Sequence, residues 1–240
     1  MPTDERAPTP SLRERRRAAA TREILDAAES QITEHGPTAL SLRAVARSLG
    51  MTVQALYHYF PSRDALITAL ITKAYDDLAD AVQTAVDTAP DDSDTPRLVT
   101  AAEGYRRWAI DHPELFQLLY GTPLRHYEAP LDGPTTRAMV RMGAIFEREL
   151  FDGFTAPQLA AADATTPSPF LPPAGTGALP PPASALLMSA WGHMHGLVIL
   201  EVFGHTAFLG DHQAGIFHMA MHHLLKDVHG RIPAAGDVSD

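Results

Sequence analysis

Histidines are concentrated in the last two predicted helices, and imidazole is a common ligand for metal ions in proteins. The residues concerned are His193, His195, His218, His222, His223 and His229. His218 and His222 are four residues apart, so they share a helix face and could chelate a metal ion. The chain has no cysteine, and no carboxylate joins these histidines at ligand spacing. The alternative is that they are ordinary residues of exposed helices, so we expect no metal site and no cofactor.

A second candidate for chemistry is the segment GMTVQALYHYF at residues 50–60. Leu56 to Phe60 are five large side chains in succession, and at about 100° per residue they point almost all round a helix. An ordinary core helix would carry its large residues on one stripe. Some of these rings must therefore contact something other than the core of this protein.

The charge of the chain is distributed unevenly along its length. The net charge is −10. The first 63 residues contain nine arginines and seven acids, whereas the remainder has ten Lys and Arg against 22 acids. This asymmetry suits a DNA-binding head joined to a body that DNA avoids. The alternative is an ordinary acidic surface with a basic tail.

Several protein classes are excluded by composition. Without cysteine there are no disulfides, cysteine nucleophiles or cysteine-based zinc sites. No run approaches the roughly 20 apolar residues of a membrane helix, and the charged N-terminus does not resemble a secretory signal. We therefore expect a cytoplasmic protein with no membrane partner.

The helical periodicity predicts an all-α fold of about nine helices, because no strand pattern competes with it. Residues 1–10 are predicted to be a disordered tail and 11–61 a DNA-binding domain. Residues 62–230 are predicted to form a helical ligand-binding and dimerisation domain. Within it, residues 155–183 contain eight prolines and are predicted to be a flexible loop. A second disordered tail is expected at 231–240.

Residues 41–60 have the spacing of a helix-turn-helix. Large apolar residues occupy the buried stripes of two short helices; they are Leu42, Val45, Leu49, Leu56 and Phe60. Ala46 is small where the helices would cross, and Gly50 allows the left-handed conformation that the turn needs. Taken alone, this pattern also occurs by chance in helical hairpins.

The longer segment LSLRAVARSLGMTVQALYHYFPSRDAL (40–66) resembles the N-terminal domain of the TetR family of transcriptional regulators. The family's aromatic signature and the cap of its fourth helix correspond to Tyr57, Phe60, Ser62 and Arg63. The resemblance covers about residues 12–90. It implies a three-helix DNA-binding head in which residues 52–58 form the recognition helix.

This resemblance implies a set of DNA contacts. Base contacts are expected from Arg43, Val53, Gln54 and Ala55, and phosphate contacts from Thr52, Tyr57, Tyr59 and Arg63. The amide of Gln54 suits a bidentate contact with adenine. Arginines 13, 15, 16 and 17 would add affinity for the flanking backbone, whereas His58 is expected to be a packing or solvent-edge residue.

The segments at 105–121 and 191–205 resemble the body of one TetR subgroup, which carries a Trp, a His and a Gly on its penultimate helix. Here these are Trp191, His195 and Gly196. The resemblance implies a pocket for a small hydrophobic effector, lined by Tyr105, Trp108, Phe116, Tyr120, Met139, Met142, Phe146, Trp191 and His195. The alternative for each of these residues is an ordinary place in the core.

In this family the last two helices pair with those of a second subunit. The interface residues expected here are Leu197, Leu200, Phe217, Met221, Leu224, Leu225 and Val228. A homodimer would place two recognition helices about one DNA turn apart, roughly 34–36 Å, on a near-palindromic operator.

Three functions remain to be distinguished at this stage. The first is a ligand-responsive repressor of double-stranded DNA, and the second is a DNA-binding protein whose body binds a protein partner. The third is a helical metal-dependent enzyme that uses the histidines. We find no HExxH motif, no phosphate-binding loop and no catalytic triad, so we expect no enzymatic activity.

Overall fold

The computed structural model describes residues 11–90, 92–121, 127–163 and 179–236. Within these ranges the protein is all-α, as predicted, with ten α-helices, two 3-10 turns and no strand. The helices are α1 (Leu12–His35), α2 (Leu42–Ser48), α3 (Val53–Tyr57), α4 (Arg63–Asp87), α5 (Arg97–Asp111), α6 (Pro113–Tyr120), α7 (Pro134–Phe151), α8 (Ala156–Ala160), α9 (Pro181–Val202) and α10 (Gln213–Gly230). The 3-10 turns are Pro37–Ala39 and Ala207–His212.

The first three helices form the head, and α1 supplies much of its core. Ile24, Ala28 and Ile32 recur at helical spacing and are buried. The helix begins with a capping box. The Ser11 hydroxyl accepts a hydrogen bond from the Glu14 N–H, and the Glu14 carboxylate accepts one from the Ser11 N–H.

The helix-turn-helix is formed by α2 and α3, which cross at Ala46. Val45 and Ala46 are each 1% exposed, so no longer side chain fits at the crossing. Gly50 has a φ of 64°, the left-handed conformation that the turn was predicted to need. The Met51 N–H then donates to the Ala46 carbonyl at 2.8 Å, which closes the turn.

The 25-residue helix α4 runs from the head into the body. Near its start, Leu66 and Ile67 are buried against the head, and near its end Val82 and Val86 are buried in the body. The helix packs mainly against α5 and α7. The short helix α6 contacts α4 and α5, and it also contacts α1 and the 3-10 turn Pro37–Ala39 of the head. Both α4 and α6 therefore connect the two parts of the molecule.

The last long helices, α9 and α10, pack against each other and against α5. An ion pair fixes this arrangement: Arg106 on α5 donates to both carboxylate oxygens of Glu201 on α9, with the Nε–Oε2 distance at 2.7 Å. The same guanidinium lies over the Phe217 ring of α10, 5.7 Å from its centroid. One side chain thus contacts all three helices of this layer.

The predicted loop at 155–183 is partly helical. Thr155 and Gln158 form a capping box that starts α8, a helix that the proline content had hidden. The helix α9 begins at Pro181, three residues earlier than predicted, because proline is tolerated in the first turn of a helix. Residues 164–178 of the loop lie outside the described residues.

The predicted tail at 231–240 also begins later than expected. Ile232 is 6% exposed, and the Pro233 carbonyl accepts a hydrogen bond from the Gln158 side chain of α8 at 3.0 Å. These contacts hold the segment after α10 against the body. The remaining predicted tails, 1–10 and 237–240, lie outside the described residues.

Candidate functional site

The helix α3 presents two different faces. Leu56 is fully buried and Phe60, just beyond the helix, is 6% exposed, whereas Gln54 and Tyr57 are exposed. The helix starts at Thr52, whose hydroxyl accepts a hydrogen bond from the Ala55 N–H at 3.1 Å. That hydroxyl keeps its own proton available for another acceptor.

The eight predicted DNA contacts divide into two groups in the structure. Arg43, Thr52, Gln54 and Tyr57 are exposed, and Ala55 and Arg63 are half-buried. Val53 and Tyr59 are half-buried as well, and both pack against the hydrophobic core. Part of the Val53 side chain therefore contacts the core, which we had not expected.

Arg17 of α1 holds the end of the recognition helix. Its guanidinium donates to the His58 carbonyl at 3.1 Å and lies 5.4 Å from the centre of the Tyr59 ring. Because these contacts link α1 to α3, Arg17 has a positioning role within the head. Spacing alone did not predict this contact, since the two residues bonded here are 41 positions apart.

In the body, six of the nine predicted pocket residues form one connected group of rings. These are Tyr105, Phe116, Tyr120, Phe146, Trp191 and His195, and we call them the aromatic cluster. The Trp191 and His195 rings stack at 5.2 Å with an interplanar angle of 11°. Tyr105 is fully buried at its centre.

The polar groups of the aromatic cluster are two tyrosine hydroxyls, the His195 imidazole and the Trp191 indole N–H. The Tyr105 hydroxyl hydrogen bonds with His195 Nδ1 at 2.8 Å. Burial raises the pKa of both Tyr105 and Tyr120 well above the ordinary value, and burial lowers the pKa of His195. All three groups are therefore favoured in their neutral forms.

The other three predicted pocket residues lie elsewhere. Trp108 is buried but its ring stacks on His112 at 5.0 Å, at the end of α5. Met142 is 2% exposed, whereas Met139 is 39% exposed at the surface of α7. These residues sit on the predicted helices but do not take part in the ring contacts of the aromatic cluster.

Among the described residues, the cavity that lies against the aromatic cluster is smaller than a ligand. The cavity beside Phe146 and Trp191 has a volume of about 20 Å³, room for about one water molecule. Small-molecule sites are usually 300–1,000 Å³. The rings that we expected to line a pocket therefore fill it in this conformation.

An open cleft of about 320 Å³ lies next to the aromatic cluster. It is formed by α4, α6, the segment after α6 and the start of α7, and its lining residues are Ile71, Tyr75, Leu118, Leu119, Gly121, Tyr127, Ala129, Thr135, Thr136 and Met139. Met139 is the one predicted pocket residue among them. The ring of Tyr75 also packs edge-on against Tyr120 at 5.8 Å, so Tyr75 separates the cleft from the aromatic cluster.

Sequence reasoning missed most of these lining residues. Ile71 and Tyr75 are four residues apart on the inner side of α4, and a tyrosine on that apolar stripe was a usable signal. Tyr127 and Thr135 gave no such signal. Tyr127 lies before α7 and Thr135 lies in its first turn, and only the tertiary fold brings both to the cleft.

The predicted interface residues are also divided by the structure. Phe217, Met221, Leu224 and Val228 are at most 8% exposed and belong to the core of this chain. Their apolar stripe faces α5 and α9, so the expectation that they meet a second copy is not supported by this packing. Leu197 and Leu225 are half-buried, and Leu200 is 42% exposed.

Leu200 is one of several apolar residues exposed on the same two helices. The surface that they form comprises Met188, Leu200 and Phe203 at the side and end of α9, and Ile216 and Met219 on α10; each is at least 36% exposed. We call this the α9–α10 face. By length and composition α9 could also cross a membrane, a property that we had not expected, and 28% of its apolar window is buried in the structure.

Three of the four histidines on α10 are bonded to protein groups. His218 Nδ1 lies 2.5 Å from a Glu103 carboxylate oxygen on α5, and its Nε2 lies 3.0 Å from His222 Nε2. His229 Nε2 contacts the Leu150 carbonyl at 2.8 Å. Across the described part of the chain, no three His, Cys, Asp or Glu residues are grouped so that they could hold a metal ion.

Comparison with known families separates the chain into the same two parts. The family described as bacterial regulatory proteins, tetR family, matches residues 24–70. The family described as the tetracyclin repressor-like C-terminal domain matches residues 98–224. The two matches cover the helix-turn-helix and most of the body.

Curated relatives are also regulators. The HTH-type transcriptional regulators Mb1846 of Mycobacterium bovis and Rv1816 of Mycobacterium tuberculosis are each 38% identical to the chain over 146 residues. The match covers 61% of this chain and 62% of each relative. It thus spans less than two thirds of the length of those proteins.

Solved structures share the whole architecture. SCO4313, whose crystal structure is described as that of a candidate regulatory protein, is 33% identical with a TM-score of 0.69, over 91% of this chain and all of that one. A TetR variant from Acinetobacter baumannii AYE, solved with minocycline, is 17% identical with a TM-score of 0.53, over 88% of this chain and 97% of that one. The second likeness concerns the fold alone.

These families and curated relatives are transcriptional regulators and not enzymes, which removes the third function considered from the sequence. The chain belongs to the TetR family of bacterial transcriptional regulators and carries a helix-turn-helix DNA-binding head.

Proposed function

We propose that the protein is a ligand-responsive repressor that binds a near-palindromic operator as a homodimer and is released by a small hydrophobic effector. The observation that carries this proposal is the two-faced recognition helix α3. Leu56 fixes one face in the core of the head while Gln54 is exposed on the other. A short helix held in this way can enter the major groove without losing its packing.

The exposed side chains at the start of α3 suit base reading. Gln54 can pair with adenine through its amide, and the exposed Arg43 on α2 can pair with guanine. Thr52 and Tyr57 each offer an exposed hydroxyl for phosphate oxygens. Phosphate contacts set the position of the head, whereas Gln54 and Arg43 supply specificity.

Dimerisation would cover the α9–α10 face. Its apolar side chains are unusually exposed for helices that also belong to a core, and large exposed apolar patches mark interaction surfaces. A second copy that presents the same face would bury both patches around a two-fold axis. The symmetry would then be repeated in the operator, whose two half-sites would be about one DNA turn apart.

Regulation would pass through α4 and α6. Both helices contact the head, and both pack against other helices of the body. A ligand that changes their packing would therefore change the position of the heads. Coupling free energies of this kind are about 1–3 kcal/mol, or 5- to 150-fold in affinity. The protein would act in the cytoplasm, where its DNA lies.

Footprinting of the DNA upstream of the gene for this protein, at two salt concentrations, tests the proposal. We expect protection of one near-palindromic site that weakens as the salt concentration rises. Addition of an effector should remove the protection. Protection that no small molecule relieves but that a protein partner relieves would favour the alternative, in which the body binds a protein. The absence of a protected site upstream of the gene would contradict the expectation of a protected near-palindromic site.

A further inference from the structure

Two histidines on α10 have ring nitrogens that lie close together. His218 and His222 are four residues apart, so they share one side of the helix. Their Nε2 atoms are 3.0 Å apart, and their ring centres are 4.6 Å apart. The imidazole of histidine is the commonest metal ligand among protein side chains. The two nitrogens are therefore near enough to bind the same ion.

Glu103 on α5 fixes the tautomer of His218. A carboxylate oxygen of Glu103 lies 2.5 Å from Nδ1 of His218. Since a carboxylate accepts hydrogen bonds, the proton of the neutral ring is on Nδ1, and Nε2 carries a lone pair. A histidine that binds a metal ion usually donates its other ring N–H to a carboxylate in this way. That contact orients the ring and makes it a stronger ligand.

The sequence could not show this contact. Glu103 lies 115 positions before His218, so spacing along the chain gave no carboxylate beside the histidine pair. The expectation of no metal site rested in part on that missing carboxylate. The tertiary packing of α5 against α10 supplies it.

The distance between the two nitrogens indicates which ions fit. With metal–nitrogen bonds of about 2.0–2.1 Å, the length for imidazole on zinc, nitrogens 3.0 Å apart would meet the ion at about 95°. A tetrahedral zinc site needs about 109°, whereas neighbouring ligands of a tetragonal Cu²⁺ or Ni²⁺ site meet at about 90°. Nitrogen ligands also bind Cu²⁺ more tightly than the other divalent first-row metals. The geometry therefore favours Cu²⁺ or Ni²⁺ over Zn²⁺.

Solvent can reach the histidine pair. The side chains of His218 and Glu103 are 43% and 35% exposed, and His222 is half-buried. Within the described ranges, no group of three His, Cys, Asp or Glu residues could hold a metal ion. The chain would therefore supply two ligands, and water would occupy the remaining positions around the ion.

We propose that His218 and His222 form a binding site for one Cu²⁺ or Ni²⁺ ion, and that Glu103 is the positioning residue of this site. Without the ion, the His222 N–H donates to His218. When the ion binds, the proton of His222 moves to its Nδ1, so both rings stay neutral and both Nε2 atoms are ligands. The site lies in the body, and the inference does not depend on the proposed regulatory function.

Titration with Cu²⁺ tests the site on the full chain without a histidine tag. Calorimetry should show one tight site per chain. NMR of protein labelled with ¹³C in the methionine methyl groups locates it, because paramagnetic Cu²⁺ broadens nearby signals. Below one equivalent, the signals of Met219 and Met221, next to the two histidines, should broaden while that of Met139 on α7 persists. Excess Mg²⁺ should not reverse the broadening, because Mg²⁺ prefers oxygen ligands.

Three variants and a matched control assign the roles. Glu103→Ala keeps both ligands and removes the positioning contact, so the Kd for Cu²⁺ should rise about 10-fold. His218→Ala and His222→Ala should each raise the Kd further, because a ligand itself is lost. His223→Ala removes an exposed histidine at the next position of the same helix, and it should leave the Kd unchanged.

Urea unfolding without metal shows which variants are folded, and His222→Ala, which keeps the contact between Glu103 and His218, carries the test if another variant unfolds. The metal site is overturned by the absence of saturable binding, by broadening that Mg²⁺ reverses, by a His222→Ala variant that binds Cu²⁺ as wild type does, or by an equal loss in His223→Ala. A folded Glu103→Ala variant with wild-type affinity would overturn the positioning role.

Discussion

The head and the body use aromatic side chains in opposite ways. In the head, Tyr57 is 41% exposed beside the buried Leu56, so the ring faces outward from a fixed helix. In the body, Tyr105 is fully buried, and its ring packs against neighbouring rings. A DNA-binding surface is present before DNA arrives, whereas a ligand site depends on how much space the packing leaves. The two regions therefore respond differently to substitution.

The largest expected difference lies within the head, between neighbouring residues. Leu56→Ala should lower the free energy of unfolding by about 2–5 kcal/mol, because it removes a fully buried side chain and leaves a cavity. Tyr57→Ala should change it by less than about 0.5 kcal/mol, since surface positions tolerate substitution. Urea denaturation measures both. Equal losses would show that α3 does not have one structural and one free face.

The next effect concerns the α9–α10 face. Leu200→Glu should weaken the homodimer strongly, because a carboxylate would enter an apolar contact without a partner. Leu131→Glu is the matched control: Leu131 is 90% exposed just before α7, and this variant should remain dimeric. Analytical ultracentrifugation over a concentration series gives both dissociation constants. A Leu200→Glu variant that dimerises as tightly as the control would place the interface elsewhere.

A smaller effect separates two hydroxyls of the aromatic cluster. Tyr105→Phe should lower the free energy of unfolding by about 1 kcal/mol, because it removes the bond to His195. Tyr120→Phe should cost less, since the buried Tyr120 hydroxyl makes no hydrogen bond of ordinary geometry, although the Tyr75 and Tyr105 hydroxyls lie near it. Thermal or urea unfolding measures both free energies. A larger loss for Tyr120→Phe than for Tyr105→Phe would contradict the hydrogen bond assigned between Tyr105 and His195.

The smallest effect is a pH dependence from His195. Burial lowers its pKa, so the unfolded state binds this proton more readily than the native state. Stability should therefore fall as the pH falls below the ordinary histidine pKa of about 6.5. Because other histidines also titrate, the measured quantity is the difference in pH dependence between wild type and His195→Gln. Identical curves would show that the half-buried imidazole does not titrate differently on folding.

The head was largely predictable from sequence because each position has one strong physical reason. Ala46 must be small and Gly50 must be left-handed. The hydroxyls of Thr52 and Ser62 cap α3 and α4, whereas Ser41 makes no side-chain cap bond to α2.

The packing of Val53 against the core was not predicted, because a helix of only five residues does not show which side of its first turn faces the core. The Arg17 contact was missed because it is non-local.

The body was less predictable because its site depends on volume. The sequence placed Tyr105, Trp191 and His195 together correctly, yet it gave no measure of how much space their rings fill. The side of α10 that faces inward was hard to predict for a related reason. Both α9 and α10 are apolar on more than one side, so periodicity could not show that Phe217 and Met221 face inward.

The central claim is that Gln54 reads bases from a helix whose other face is fixed in the core, and operator titrations of Gln54→Ala test it most directly. We predict a loss of about 1–3 kcal/mol in operator affinity, with unchanged binding to non-specific DNA and an unchanged dependence on salt. Val53→Ala, at the packed neighbouring position, should lose less operator affinity. Unchanged operator affinity in Gln54→Ala, or an equal loss on non-specific DNA, would contradict the claim.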